Sequence, residues 1–292
     1  MVAERNIPEW LKVKMPSGDN FKYLDSIISN ENLNTVCKEA RCPNIGECWN
    51  QKTATFMILG DTCTRACTYC AVTSGNPNQL DLAEPIRLSN TVNRLGLEYA
   101  VITSVNRDDL PDGGAEIFSQ CIKLIKKNSP YCKVEVLTPD FQGNLDSLKS
   151  IINEKPDTFN HNIETVRRIF PKIRAKGNYE LSINVLGQAK QLDKNLITKS
   201  GMMVGVGETL DEIIDTLKDL RSVNCDLLTV GQYLRPSKKH TAMARWYTPS
   251  EFKKIQSIGY ELGFKHVASG PLVRSSYHAK EQHNSAKSTL VG

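Results

Sequence analysis

Short apolar runs alternate along this chain with longer segments whose apolar residues recur about every 3.6 positions. The first pattern fits strands covered on both faces and the second fits amphipathic helices. The runs are Ala54 to Leu59, Tyr99 to Thr103, Lys133 to Leu137, Thr158 to Asn160, Ser200 to Val204 and Leu227 to Gly231. Six strand–helix units in succession predict an α/β chain built as a partial parallel (β/α)6 barrel of the TIM-like kind. Two helix starts are also marked locally. Thr209 precedes Glu212 by three residues and Thr248 precedes Glu251 in the same way, with Pro249 at the first helical position; both are capping-box patterns. No sequence repeat and no low-complexity linker interrupts the rhythm.

Composition agrees with one compact unit. The 292 residues are 40% hydrophobic, enough for a substantial core. The alternating pattern divides the chain into an N-terminal extension (1–50), a barrel (51–262) and a C-terminal extension with a polar tail (263–292). No apolar stretch approaches the ~18 residues of a membrane span, and Met1 to Arg5 leads into polar sequence rather than a secretory signal, so a cytoplasmic protein with reduced thiols is expected. The net charge of +5 is modest, and Lys126-Lys127 and Lys238-Lys239 are short runs of solvated surface, so nucleic acid is not indicated. A mildly basic face suits an acidic protein partner.

Cysteines change the picture most. Cys37, Cys42 and Cys48 form one tight triplet, and Cys63, Cys67 and Cys70 a second. Each is one thiolate short of the four that hold an iron–sulfur cluster, so each implies a metal centre with one position filled otherwise. Zinc and disulfides compete with this reading. A fourth protein ligand at zinc-site spacing is not visible near Cys63 to Cys70. Cys121, Cys132 and Cys225 share no spacing and read as small buried apolar residues. Gly205-Val206-Gly207 resembles the start of a dinucleotide fingerprint but lacks its third glycine.

The spacing Cys63-x3-Cys67-x2-Cys70, with Tyr69 before the last thiol, resembles the signature of the radical S-adenosylmethionine (SAM) superfamily. The resemblance implies a 4Fe-4S cluster whose open iron chelates SAM and splits off a 5'-deoxyadenosyl radical. Such a radical reaches unactivated carbon, which no side-chain base can deprotonate. Cys37-x4-Cys42-x5-Cys48, the Pro43 to Cys48 stretch and Arg274-Ser275-Ser276-Tyr277-His278-Ala279 together resemble the lipoyl synthase family. Matching stretches run from Pro8 to Ala279 and include Ala54 to Gly60, Ser104 to Leu110, Asn160 to Val166 and Gly231 to Ser237.

Lipoyl synthases, by this resemblance, insert two sulfur atoms at C6 and C8 of an octanoyl chain amide-linked to a carrier lysine, and each insertion consumes one SAM. A second, auxiliary 4Fe-4S cluster on Cys37, Cys42 and Cys48 is the sulfur source, with Ser276 as its fourth ligand and Ser275 in reserve. The implied partners are octanoylated lipoyl domains of 2-oxoacid dehydrogenase complexes, the glycine-cleavage H protein and an electron donor, and a monomer is expected. A biotin-synthase-type sulfur inserter and a zinc-binding adaptor are the alternatives. In a parallel barrel the loops after the strands converge on one mouth, which should collect Ser104 to Asp109, Glu135 to Asp140, Asn160 to Glu164, Met203 to Glu208 and Gln232 to Arg235. Tyr69, Ser104, Asn160, Asn162, Glu164, Arg174, Met203, Glu208, Gln232 and Arg235 are therefore the candidates for holding SAM and the acyl chain. His161 reads as a structural histidine. Both extensions lie outside the repeat and are expected to fold together over the mouth.

Overall fold

The computed structural model describes residues 7–13, 18–31, 33–39, 42–50 and 54–288. Met1 to Arg5 and the end of the polar tail lie outside them.

Ahead of the barrel come α1 (Asp19–Asn30), a two-residue strand β1 (Asn34–Thr35), and the short helices α2 (Val36–Glu39) and α3 (Ile45–Asn50). Trp49 of α3 is fully buried and stacks on Phe21 of α1 at 5.1 Å, which fixes this small helical layer. The first barrel strand, β2 (Thr55–Ile58), pairs antiparallel with β1 on its outer edge. A short parallel pair follows, β3 (Thr62–Cys63) and β4 (Thr73–Ser74), and it holds the ends of the second thiol loop together.

Then come α4 (Glu84–Leu95), β5 (Tyr99–Ser104), α5 (Ala115–Asn128), β6 (Lys133–Leu137), α6 (Leu145–Asn153), β7 (Thr158–Asn160), α7 (Phe170–Ile173), α8 (Tyr179–Leu192), β8 (Ile197–Val204), α9 (Leu210–Ser222), β9 (Leu227–Gln232), α10 (Pro249–Glu261) and β10 (His266–Gly270). The sheet order is β1-β2-β5-β6-β7-β8-β9-β10, parallel from β2 onward. Six strand–helix units stand as expected. β10 adds a further parallel strand, from a segment read above as extension.

Local chemistry accounts for the helix ends. Both capping boxes form, at Thr209 with Glu212 and at Thr248 with Glu251. Asn144 and Asn178 cap α6 and α8 through their side-chain oxygens. α4 stops at Gly96, whose φ of 58° is the left-handed conformation that glycine adopts freely.

Strand residues alternate between two environments. Ala100, Ile102, Val134, Val136, Phe159, Leu228 and Val230 belong to the main core beneath the helices. Tyr99, Glu135, Thr158 and Lys199 face the barrel interior, where Lys199 Nζ meets Glu135 at 3.0 and 3.4 Å with both side chains fully buried. The Tyr99 hydroxyl and the Asn160 amide also donate to that carboxylate, at 2.9 and 3.1 Å.

The last helix, α11 (Ala279–Ser288), completes this floor. Ala279 packs on Tyr99 and Val101, Ala286 on Ile197 and Leu227, and His283 Nδ1 shares a 2.9 Å hydrogen bond with Thr158. These contacts fall at the starts of the strands. Of the two extensions expected over the mouth, Pro43 and residues 273–275 reach the cavity there, whereas α11 runs on to the opposite end.

Candidate active site

Cys63 ends β3, and Cys67 and Cys70 follow on the loop to β4. The Cys63 sulfur accepts from the backbone N–H groups of Arg65 (3.4 Å) and Asn106 (3.3 Å) and from the Asn106 amide (3.7 Å). Arg65 anchors the loop from below. Its buried guanidinium lies between Asp108 and Asp140 at 2.6 to 3.2 Å, bidentate to each. Burial works against the Asp140 charge, but Arg65 outweighs it and holds that carboxyl at about 2. The loop is stitched on its other side as well. Thr68 N–H donates to Ile173, Thr241 N–H donates to Thr68, and His240 Nε2 pairs with the Cys70 carbonyl.

Cys70 opens on a cavity of about 380 Å³ at the mouth of the barrel. Its walls include Tyr69, Asn162, Glu164, Met203, Gln232 and Arg235, all expected from the sequence. Glu164 has a φ of 67°, a strained value for a side-chain-bearing residue. It bridges to Met202 after the chain has bulged away from the sheet at residues 161–163. Burial pushes the Glu164 carboxyl up, with Arg174, Asn162 and Tyr69 opposing. The Asn162 side-chain oxygen is buried without a hydrogen-bond partner. A Cβ at Gly201 would stand 2.7 Å from that oxygen, so the bare glycine backbone leaves it room.

The remaining candidates do not line the cavity. Arg174 donates to the Asn162 carbonyl at 2.5 Å and stands behind the wall. Asn160 belongs to the barrel floor through Glu135. Glu208 spends its carboxylate on the N–H groups of Gly205 (2.6 Å) and Val206 (3.0 Å), closing the glycine turn. Ser104 ends β5, with a buried hydroxyl that has no partner. Gln232, although on the wall, donates to three backbone carbonyls and accepts from Tyr247. Arg235 holds the carbonyls of Lys238 and His240.

The other triplet gathers elsewhere. Cys37 on α2, Cys42, Cys48 on α3 and Ser276 surround one small cavity together with Asn44, Thr55 and Arg274. Cys42 N–H donates to the Cys37 carbonyl and Cys48 N–H to Asn44. The Asn44 amide reaches Leu272 at 2.7 Å, Thr55 donates to the Ser276 hydroxyl at 2.8 Å, and the Tyr277 hydroxyl meets Glu47 at 3.1 Å. The two ends of the chain thus close on each other beside the seam between β2 and β10. Burial raises Cys37 to about 11 and Cys48 to about 12, with the neighbouring thiols adding to it, so these sulfurs keep their protons until a metal displaces them. Among the described residues, no three His, Cys, Asp or Glu side chains converge to enclose a single ion. The thiols stand around a space.

Comparison with known proteins agrees with this geometry. Residues 57–220 match the model of the radical SAM superfamily, and residues 2–42 match the N-terminal domain of lipoyl synthase. The lipoyl synthase of Rubrobacter xylanophilus is 55% identical over 285 residues, covering 98% of this chain and 89% of that one. The chain belongs to the lipoyl synthase family. The lipoyl synthase of Halalkalibacterium halodurans is 51% identical, with 96% and 93% covered. Among solved structures, Streptococcus suis SuiB bound to S-adenosylmethionine superposes with a TM-score of 0.58 at 10% identity, covering 78% of this chain and 53% of that one. Methylornithine synthase superposes at 0.51 and 12%, covering 91% and 86%; at such identities the likeness is one of fold.

Members of the lipoyl synthase family carry SAM and two 4Fe-4S clusters. The donors fit: the three-thiol loop opens through Cys70 on a cavity with an unpartnered amide oxygen, and three further thiols stand with the Ser276 hydroxyl around a smaller space. Sequence reasoning missed the Arg65–Asp108–Asp140 anchor and the Asn106 donors to Cys63. Arg65 inside the thiol loop and the acidic pair after Arg107 were the available signals.

His161 is structural, as read. It is fully buried, its Nδ1 lies 2.8 Å from the Thr138 carbonyl and its Nε2 faces Arg174 at 3.4 Å, which fits the neutral Nδ1–H form. Burial, with the charge of Arg174, pulls its pKa from 6.5 down to about 4. The unfolded chain takes up this proton near 6.5 while the folded chain resists until about 4, so stability falls as pH drops through that window. Urea unfolding of the apoprotein should show about 2 kcal/mol less stability at pH 5 than at pH 7 from this group. His161→Gln should flatten the slope; an unchanged slope would refute the assignment.

Proposed function

We propose that this lipoyl synthase family member inserts two sulfur atoms, at C6 and C8, into an octanoyl chain held as an amide on a carrier-domain lysine. The observation that carries the reading is the arrangement of the two thiol groups around one segment. Arg274 walls the cavity beside Cys70 and also the cavity of Cys37, Cys42 and Cys48. When bound, SAM and its cluster supply homolytic abstraction of hydrogen from an unactivated methylene, and the auxiliary cluster supplies sulfur.

The chain's own residues provide the rest. Cys63, Cys67 and Cys70 hold the first cluster, and the hydrogen bonds to Cys63 fix the loop. Tyr69, Asn162 and Glu164 offer polar contacts for SAM at the cavity wall. Met203, Leu234 and Val273 offer apolar wall for the acyl chain. Arg174, Glu208, Gln232 and Arg235 set the backbone of the loops that carry those contacts. Cys37, Cys42, Cys48 and Ser276 hold the auxiliary cluster. A hydroxyl oxygen is a harder donor than thiolate and matches iron in a sulfide cluster less well, so the position held by Ser276 would be the easiest to release.

Residues 1–50 and 263–292 then act as the sulfur-donating part and residues 51–262 as the radical-generating part. Lipoyl domains of 2-oxoacid dehydrogenase complexes and the glycine-cleavage H protein are the proposed carriers, with a separate electron donor and a monomeric, cytoplasmic enzyme. No helix among the described residues is long and apolar enough to cross a membrane.

The test is anaerobic reconstitution followed by incubation with SAM, a reductant and an octanoyl-lysine peptide. Dithiolated peptide is expected and free dethiobiotin should not react, which separates this reading from a biotin-synthase type. Formation of 5'-deoxyadenosine alone with every octanoylated carrier would overturn it. In the same assay Ser276→Cys should keep its iron and lose about tenfold or more in two-sulfur turnover, the range typical of a disturbed metal environment. Undiminished turnover would refute the role of Ser276.

A further inference from the structure

Arg274 stands at the walls of both cavities and makes no ion pair among the described residues. Its guanidinium donates to the Val273 carbonyl at 2.6 Å, and the neighbouring Cys42 sulfur would favour its charge only once ionised. Burial works against its protonated form. Arg65 and Arg107, by contrast, are paired, Arg65 with two aspartates and Arg107 with Asp109. The side chain is half-buried, and a guanidinium partly withdrawn from water without a counter-charge is disfavoured, so its position suits an anion that the polypeptide does not provide.

The placement is enforced by backbone. Gln232 N–H donates to Pro271, Val273 N–H to Gly270, and Asn44 to Leu272. A Cβ at Gly231 would lie 2.0 Å from the Val273 carbonyl and 3.1 Å from Arg274 Nη1. The segment is therefore pressed onto β9 at a glycine. Arg274 lines the smaller cavity together with three thiols and the hydroxyl-bearing Thr55, Ser276 and Tyr277. Those thiols become anionic when they take up iron, and a cluster held by them carries net negative charge.

We propose that Arg274 is the counter-cation of the auxiliary cluster, set on the side of that site that faces the substrate cavity. The inference rests on the assignment of Cys37, Cys42, Cys48 and Ser276 as ligands. A fixed positive charge at this range stabilises the more reduced, more negative state of the cluster and so raises its reduction potential, and it slows the loss of iron. Arg274 is a positioning and tuning residue.

The experiment uses the full chain with Cys63, Cys67 and Cys70 replaced by alanine, so that only the auxiliary cluster contributes signal. In that background the parent, Arg274→Gln and Arg274→Lys are reconstituted and titrated electrochemically, and iron release to a chelator is timed. Arg274→Gln should shift the midpoint potential to more negative values and speed iron release at least severalfold, with Arg274→Lys between it and the parent. The apoprotein of Arg274→Gln should melt at or above the parent, because without the cluster the arginine has no partner to lose. Equal potentials and equal iron release would overturn the proposal. So would an apoprotein that melts several degrees lower with an unchanged potential, which would make Arg274 a packing residue. If the parent background itself takes up no iron, the ligand assignment fails first and the proposal falls with it.

Discussion

Replacing Cys37, Cys42 and Cys48 together by alanine should lower the iron content from about eight to about four per chain, since each cluster carries four. SAM cleavage should persist and dithiolated product should fall below detection. The separation follows from the geometry. The loop of Cys63 to Cys70 is fixed by Asn106, Arg65, Ile173, Thr241 and His240, none of which belongs to α2 or α3. The complementary replacement of Cys63, Cys67 and Cys70 should also retain about four irons and abolish both SAM cleavage and sulfur insertion. Iron and sulfide assays, with 5'-deoxyadenosine measured by chromatography, distinguish the outcomes. If the first variant also loses SAM cleavage with four irons still bound, the two sites do not act as separate devices.

The second large effect lies in the barrel floor. Lys199→Met leaves the Glu135 carboxylate buried with only Tyr99 and Asn160 as donors, and breaking a fully buried ion pair in this way costs about 3 to 5 kcal/mol. Denaturant unfolding of the apoprotein should show that loss. Replacing both partners by apolar residues removes the uncompensated charge, so Glu135→Leu with Lys199→Met should recover most of it. A double variant no more stable than Lys199→Met alone would show that the floor needs its charges for packing.

These two sites were not equally visible in the amino-acid order. The thiol triplets, both capping boxes and the six strands were legible because each rests on a local pattern: ligand spacing, a Thr–Glu pair three residues apart, or an apolar run. β10 was missed because His266 to Gly270 carries one bulky apolar residue, Val267, and its pairing with β9 is a long-range fact. The second half of α11, from about Asn284, reads in the sequence as a polar tail. The inward positions of the whole helix, Ala279, Gln282, His283 and Ala286, do repeat at helical spacing and are all buried, but they are small or polar because the surface they meet contains Thr158 and Tyr99. A reading based on hydrophobicity cannot register a helix that docks on polar ground. Glu135, expected at the mouth, lies instead in the floor with Lys199, and Lys199 precedes the apolar run Ser200 to Val204, so the pair had no local signal. The expectation that Asn160 and Arg174 contact ligand rested on their place at a strand end and in a nearby loop, and neither lines the cavity.

The contact between Thr55 and Ser276 spans 221 positions. On the ribosome, Cys37 to Cys48 therefore emerge long before the residue that closes their pocket, whereas everything that frames Cys63 to Cys70 has appeared by His240 and Thr241. The loop that carries Cys63 to Cys70 is thus held in place before Ser276 is made, although Val273, Arg274 and Ser275 complete the cavity beside it only at the end of synthesis.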